Sequence, residues 1–155
     1  GGMREPAIFW WPGTIRANQV NLSLAASMDL FPTILNMAGI AIPKDRVYDG
    51  TNLMPLLTGK EQQVRDMIYY YNRSELFAIR KGPWKAHFTT KPSYSKEPAV
   101  TYQVPLLYNI DQDPSEKYNV NAQHPDIVAE MTKEYEKFKA SIAPVFSIMD
   151  SAFKK

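Results

Sequence analysis

The sequence has no cysteine and only two histidines in 155 residues. Without a thiol, a disulfide scaffold, a thiolate zinc site and a cysteine nucleophile are all excluded for these residues. The two histidines and the scattered carboxylates form no recognisable ligand cluster, so no metal site built wholly from this chain is expected. Charge of one sign is also lacking. The formal net charge is +2, with acidic and basic residues interleaved, which gives no electrostatic case for a nucleic-acid or membrane partner. No apolar run approaches a membrane span, and the first residues show no basic region followed by an apolar signal core. The remainder has the balance of a folded chain, 45% hydrophobic and 22% charged, long enough for one domain with a core or for a small domain plus part of another. Asn21-Leu22-Ser23 and Asn72-Arg73-Ser74 match the glycosylation acceptor pattern, which is too short to fix a compartment.

The most organised stretch is residues 76–88, LFAIRKGPWKAHF. It reads as two alternating strands hinged at Lys81-Gly82-Pro83, where Gly82 supplies turn geometry and Pro83 cannot donate to a ladder. Strand period places Leu76, Ala78 and Arg80 opposite Phe77 and Ile79, and after the turn Trp84, Ala86 and Phe88 opposite Lys85 and His87. The aromatic face of the return strand needs a core. Lys85 and His87 point together toward something polar, which fits either solvent or a ligand.

Around this hairpin the pattern predicts further elements. Residues 7–11, AIFWW, are apolar at every position and bounded by prolines, as in a strand covered on both faces. Its covering partners must come from later residues or from a longer polypeptide. Residues 27–37 carry Leu30, Ile34 and Met37 at helical spacing with Phe31 and Leu35 beside them, Ser27 or Asp29 as the cap and Gly39 as the stop, a core-packing helix. A loop with Pro43, Asp45 and Asp49-Gly50 leads to one apolar helical turn around Leu53 to Leu57; the Asp45, Arg46 and Asp49 group reads as fixing that loop rather than binding metal. The polar stretch from Lys60 to Asp66 marks the internal boundary, giving regions 1–59 and 60–155.

The second region reads as strand 67–71, the hairpin, a long irregular loop at 91–103, a strand at 106–110 and a helix beginning at His124-Pro125. Ile127, Val128, Met131, Tyr135, Phe138 and Ile142 line one helix face, and Pro144 ends it. This is an α+β arrangement: a small antiparallel sheet of about four strands packed on one C-terminal amphipathic helix.

Taken in order, the phrases GGMREPAIFWWPG, MDLFPTILNMAGI, DRVYDGTNLMPLLTG, LFAIRKGPWKAHF and PLLYNIDQDPSEKYNV resemble the carboxyl-terminal portion of type I sulfatases, the arylsulfatase branch of the alkaline-phosphatase-like superfamily. The resemblance implies that 1–59 is the end of a larger α/β catalytic domain and that 60–155 is the C-terminal subdomain. It also implies a parent that hydrolyses sulfate esters with a formylglycine, made from Cys or Ser in a C/S-x-P-x-R motif, beside a divalent cation, usually calcium. That motif is not found among these residues, so no catalytic residue and no metal ligand is assigned to the chain. The expected partners are an amino-terminal catalytic domain and a sulfate ester substrate, with self-association through exposed apolar surface of 1–59 when that domain is absent. By the K-A-H-F match, His87 is the substrate-binding candidate, with Lys85 adding positive charge on the same face. Family resemblance also implies a bacterial exported or periplasmic protein.

The residues also fit two other readings. A non-catalytic carbohydrate-binding or interaction module could stack sugar or base rings on Tyr69, Tyr70, Tyr71, Trp84 and Tyr102. A related hydrolase could act on phosphonates or phosphodiesters.

Overall fold

A computed structural model describes residues 3–92 and 96–142. They divide into two compact units, which part between Asp66 and Met67 at the far end of the polar stretch.

The first unit is organised around a carboxylate. A single 3₁₀ turn, Ser27–Asp29, runs into helix α1, Leu30–Met37, and a further turn, α2, Met54–Leu57, packs beside it. Asp29 is fully buried. Its side chain accepts hydrogen bonds from the backbone amides of Ala26 and Thr51, each at 2.7 Å, and it is ion-paired with Arg65. Arg65 also donates to the Asp49 carbonyl at 2.8 Å. One turn further on, Thr33 donates to the Asp29 carbonyl at 2.6 Å and accepts from the Leu53 amide at 2.8 Å. Buried charge is tolerated only when paired and fully hydrogen-bonded, and Asp29 meets both conditions. Gly39 ends α1 with φ +68, in the left-handed region that favours glycine.

One expectation for this unit is corrected. Residues 7–11 form no strand; Ile8 is 95% and Trp10 85% exposed. A strand needs a neighbouring strand to pair its backbone groups, and no strand occurs among the described residues of this unit. Helix α1 is present where the spacing predicts it, but it does not bury its apolar stripe. Leu30, Phe31, Ile34 and Met37 are exposed, whereas Asp29, Pro32 and Thr33 are buried. The polar network, not the apolar periodicity, decides which side of α1 faces inward. Asp45 pairs with Arg46 and accepts from the Tyr48 hydroxyl at 3.1 Å, and Phe31 stacks on Tyr48 with centroids 5.3 Å apart.

In the second unit a four-stranded antiparallel sheet runs in sequence order, β1 Met67–Asn72, β2 Glu75–Lys81, β3 Trp84–Thr90 and β4 Val100–Asn109, followed by α3, Pro125–Ser141. Lys81 pairs with Trp84 across the Gly82-Pro83 turn, where Gly82 has φ +53. Ile79, Ala86 and Leu107 form a cross-strand row on the helix-facing side and are inaccessible to solvent. Leu76, Phe88, Met131 and Tyr135 complete the buried cluster, with Ile127, Val128 and Phe138 of α3 packed against it. Phe88 stacks on Tyr135 at 3.7 Å between centroids, and the Tyr135 hydroxyl donates to the Leu76 carbonyl at 3.2 Å.

Simple alternation puts Leu76 and Ile79 on opposite faces, yet both join this core. The register explains it: Tyr70 pairs with Ala78 and Tyr71 with Leu76, so Phe77 is an extra residue and the strand changes face at a bulge. The loop expected at 91–103 is shorter than its composition suggests. β4 begins at Val100, with Thr89 opposite Thr101 and Thr90 opposite Val100; residues 93–95 lie outside the described residues. Pro105 is accommodated where the β3–β4 register shifts, a place that asks for no ladder donor. Of the predicted helix face, Ile142 lies beyond the last turn in extended backbone, and Pro144 lies outside the described residues. Among the described residues no helix is long and apolar enough to cross a membrane.

Candidate functional site

Strand period directs Lys85 and His87 of β3 to the face opposite the Ala86 row that α3 covers. Neither reaches out alone. The segment after β4 folds back along that strand: the Val120 amide donates to the Leu107 carbonyl and the Leu107 amide to Asn119 Oδ1, each at 2.9 Å. These bonds occupy backbone groups of an edge strand that would otherwise be open. Within the segment, Asp113 Oδ2 accepts from the amides of Lys117 at 2.7 Å and Tyr118 at 2.8 Å. This tight turn holds Glu116 at φ +55, a conformation uncommon for a residue with a side chain and kept when the surroundings hold it there.

The result is a clamp. Lys85 Nζ donates to Glu116 Oε1 at 2.7 Å, and His87 Nε2 lies 2.5 Å from Glu116 Oε2. Tyr70 lies beneath the Lys85 ammonium, 4.5 Å from ring centroid to Nζ, and Tyr108 meets the His87 ring edge-on at 5.7 Å. The His87 hydrogen bond, reinforced by the Lys85 ammonium, lowers the Glu116 carboxyl to about 2 against the opposing effect of burial. Burial, with the Glu116 charge added, raises the Tyr108 phenol. Farther along the same face Arg80 donates to the Gly82 carbonyl at 2.9 Å and lies 3.8 Å from Asp111.

Both residues singled out by sequence, Lys85 and His87, are therefore adjacent, and Glu116 was missed. It lies 31 and 29 positions away from them, so no period links the three; the neighbouring Asp113-Pro114, residue types that favour a turn, carry the sequence signal for the chain doubling back there. His124 serves as the helix-entry residue, with its ring 4.7 Å from that of Trp84. Among the described residues no three metal-ligating side chains converge, and the carboxylate that does meet a histidine is already occupied by a lysine. The residues present do not fit a calcium ion.

The model of the C-terminal region of aryl-sulfatases matches residues 63–155. The chain belongs to the sulfatase family. It is 34% identical over 167 residues to N-acetylgalactosamine-6-sulfatase of Canis lupus familiaris, covering 93% of this chain and 32% of that protein. It is 37% identical over 136 residues to arylsulfatase A of Bos taurus, covering 77% of this chain and 26% of that protein. Among solved structures, a Bacteroides thetaiotaomicron sulfatase described in connection with the metabolism of multiple glycosaminoglycans matches with a TM-score of 0.64 and 31% identity, over 84% of this chain and 28% of that one. A sulfatase from Pseudoalteromonas sp., at 24% identity and a TM-score of 0.71 over 84% of this chain and 28% of that one, shares the fold. This sulfatase chain thus spans about a third (32%) of the length of the first of these relatives.

Proposed function

We propose that the chain is the C-terminal portion of a sulfatase that hydrolyses sulfate esters, and that it contributes structure and one wall of the substrate pocket rather than the reacting groups. The observation that carries this reading is the juxtaposition of Lys85 and His87 on the sheet face opposite α3, in a chain of sulfatase descent. An imidazole and an ammonium held side by side suit a polar, oxygen-rich ligand.

Hydrolysis of a sulfate ester needs a strong nucleophile, a cation on the sulfate oxygens and a proton donor for the leaving group. In this reading the formylglycine and the calcium belong to the rest of the parent enzyme, and the chain by itself turns over no ester. The exposed Ile8, Trp10, Phe31 and Ile34 support an amino-terminal catalytic domain as the partner that covers the first unit. A stand-alone sugar-binding module would bury such residues itself. The same exposure supports self-association of the isolated chain. Export to a bacterial periplasm is the compartment proposed, on family grounds.

An arylsulfate assay on the purified chain tests the division of labour. No turnover is expected with or without calcium; metal-dependent turnover that saturates with substrate would overturn it.

A further inference from the structure

The clamp also determines what His87 has left to offer. Glu116 is ionised at neutral pH, its carboxyl lowered to about 2, and an ionised carboxylate only accepts hydrogen bonds. The contact at His87 Nε2 therefore requires a proton on that nitrogen, and in the neutral ring Nδ1 is then bare and accepts. Lys85 and Glu116 are themselves ion-paired at 2.7 Å, so their charges cancel at the place where a ligand would meet them. Tyr70 and Tyr108 pack against Lys85 and His87, and Arg80 stands opposite Lys85 in the strand register. With the ring in that form, Nδ1 is poorly matched to a sulfate group, which offers acceptors only. It is well matched to a hydroxyl, which donates.

We propose that Glu116 is a positioning residue that fixes the proton of His87 on Nε2 and leaves Nδ1 to accept from a hydroxyl on the alcohol part of the substrate, not to bind its sulfate. This rests on the reading that the face lines the substrate pocket, but the state of the ring can be measured without substrate.

The first test is ¹⁵N NMR of the imidazoles in the full chain at a pH where the rings are neutral. The chain has two histidines, so His87→Ala assigns the signals. The wild-type ring is expected with hydrogen on Nε2. In Glu116→Gln the amide NH₂ cannot face the Lys85 ammonium, since both only donate. Its carbonyl turns to Lys85 and its NH₂ to Nε2, so the hydrogen is expected to move to Nδ1. A wild-type ring with hydrogen on Nδ1, or a Gln variant that keeps it on Nε2, would overturn the positioning role.

The second test uses the complete sulfatase and compares inhibition by its two products. His87→Ala is expected to weaken inhibition by the desulfated alcohol about tenfold, the effect of roughly one lost hydrogen bond, and to leave inhibition by inorganic sulfate unchanged. Weakened sulfate inhibition would overturn the hydroxyl assignment while leaving the pocket reading in place. If His87→Ala moves neither constant, the pocket reading fails, and the hydroxyl assignment with it.

Discussion

Glu116 Oε2 and His87 Nε2 lie 2.5 Å apart although 29 positions of sequence separate them. The contact exists because a turn held by Asp113 carries the carboxylate back across β3. Its energetic consequence has a definite sign. The native Glu116 carboxyl is lowered from 4.5 to about 2, so the clamp stabilises the fold fully above pH 4.5 and loses that contribution as pH falls toward 2. Melting temperatures of wild type and Glu116→Gln are expected to differ near neutral pH and to converge through this window. A gap that widens on acidification would contradict the assignment.

The Asp29–Arg65 pair is the corresponding feature of the first unit. Replacing Asp29 by Ala leaves Arg65 without its carboxylate and the Ala26 and Thr51 amides without their acceptor. A loss of about 3–5 kcal/mol is expected, as when one partner of a buried ion pair is removed. Denaturant unfolding gives the total, and faster hydrogen exchange at the Thr51 amide gives the location.

Close backbone approach predicts a cost at Gly50. A Cβ there would stand 2.2 Å from the Met28 carbonyl oxygen and 2.9 Å from its carbon, and a backbone group cannot swing aside as a flexible side chain can. Gly50→Ala is expected to lower the melting temperature measurably; an unchanged transition would show that the 28–50 contact is loose.

In the second unit, Leu107 is fully buried in the row with Ile79 and Ala86. Leu107→Ala should cost about 2–5 kcal/mol through lost transfer energy and the cavity left behind. Tyr135→Phe keeps the stack on Phe88 and removes only the hydroxyl bond to the Leu76 carbonyl, with about 1 kcal/mol expected. Equal losses for the two variants in denaturant titrations would mean that packing does not dominate this core.

What could be read from sequence follows how local each signal is. The hairpin, α3 and the stop at Gly39 depend on residues within a few positions of one another, and each appears where the pattern puts it. Phe77 shows where locality ends: a bulge is set by the partner strand, so the face change that brings Leu76 to Ile79 leaves no mark in β2 itself. Helix α1 has the spacing of a core helix, yet its inward side is chosen by Asp29, whose ligands Thr51 and Arg65 lie 22 and 36 positions away. Residues 7–11 have strand composition but no strand beside them in this unit. At the site, Lys85 and His87 were legible as a pair on one face. Glu116 was not, because its place depends on a loop closing over the sheet.

The most direct test of the whole account is the steady-state kinetics of the complete sulfatase with His87 replaced by alanine. A fall in kcat/KM of roughly tenfold is expected, equivalent to one hydrogen bond to substrate. Wild-type kcat and KM in that variant would contradict it.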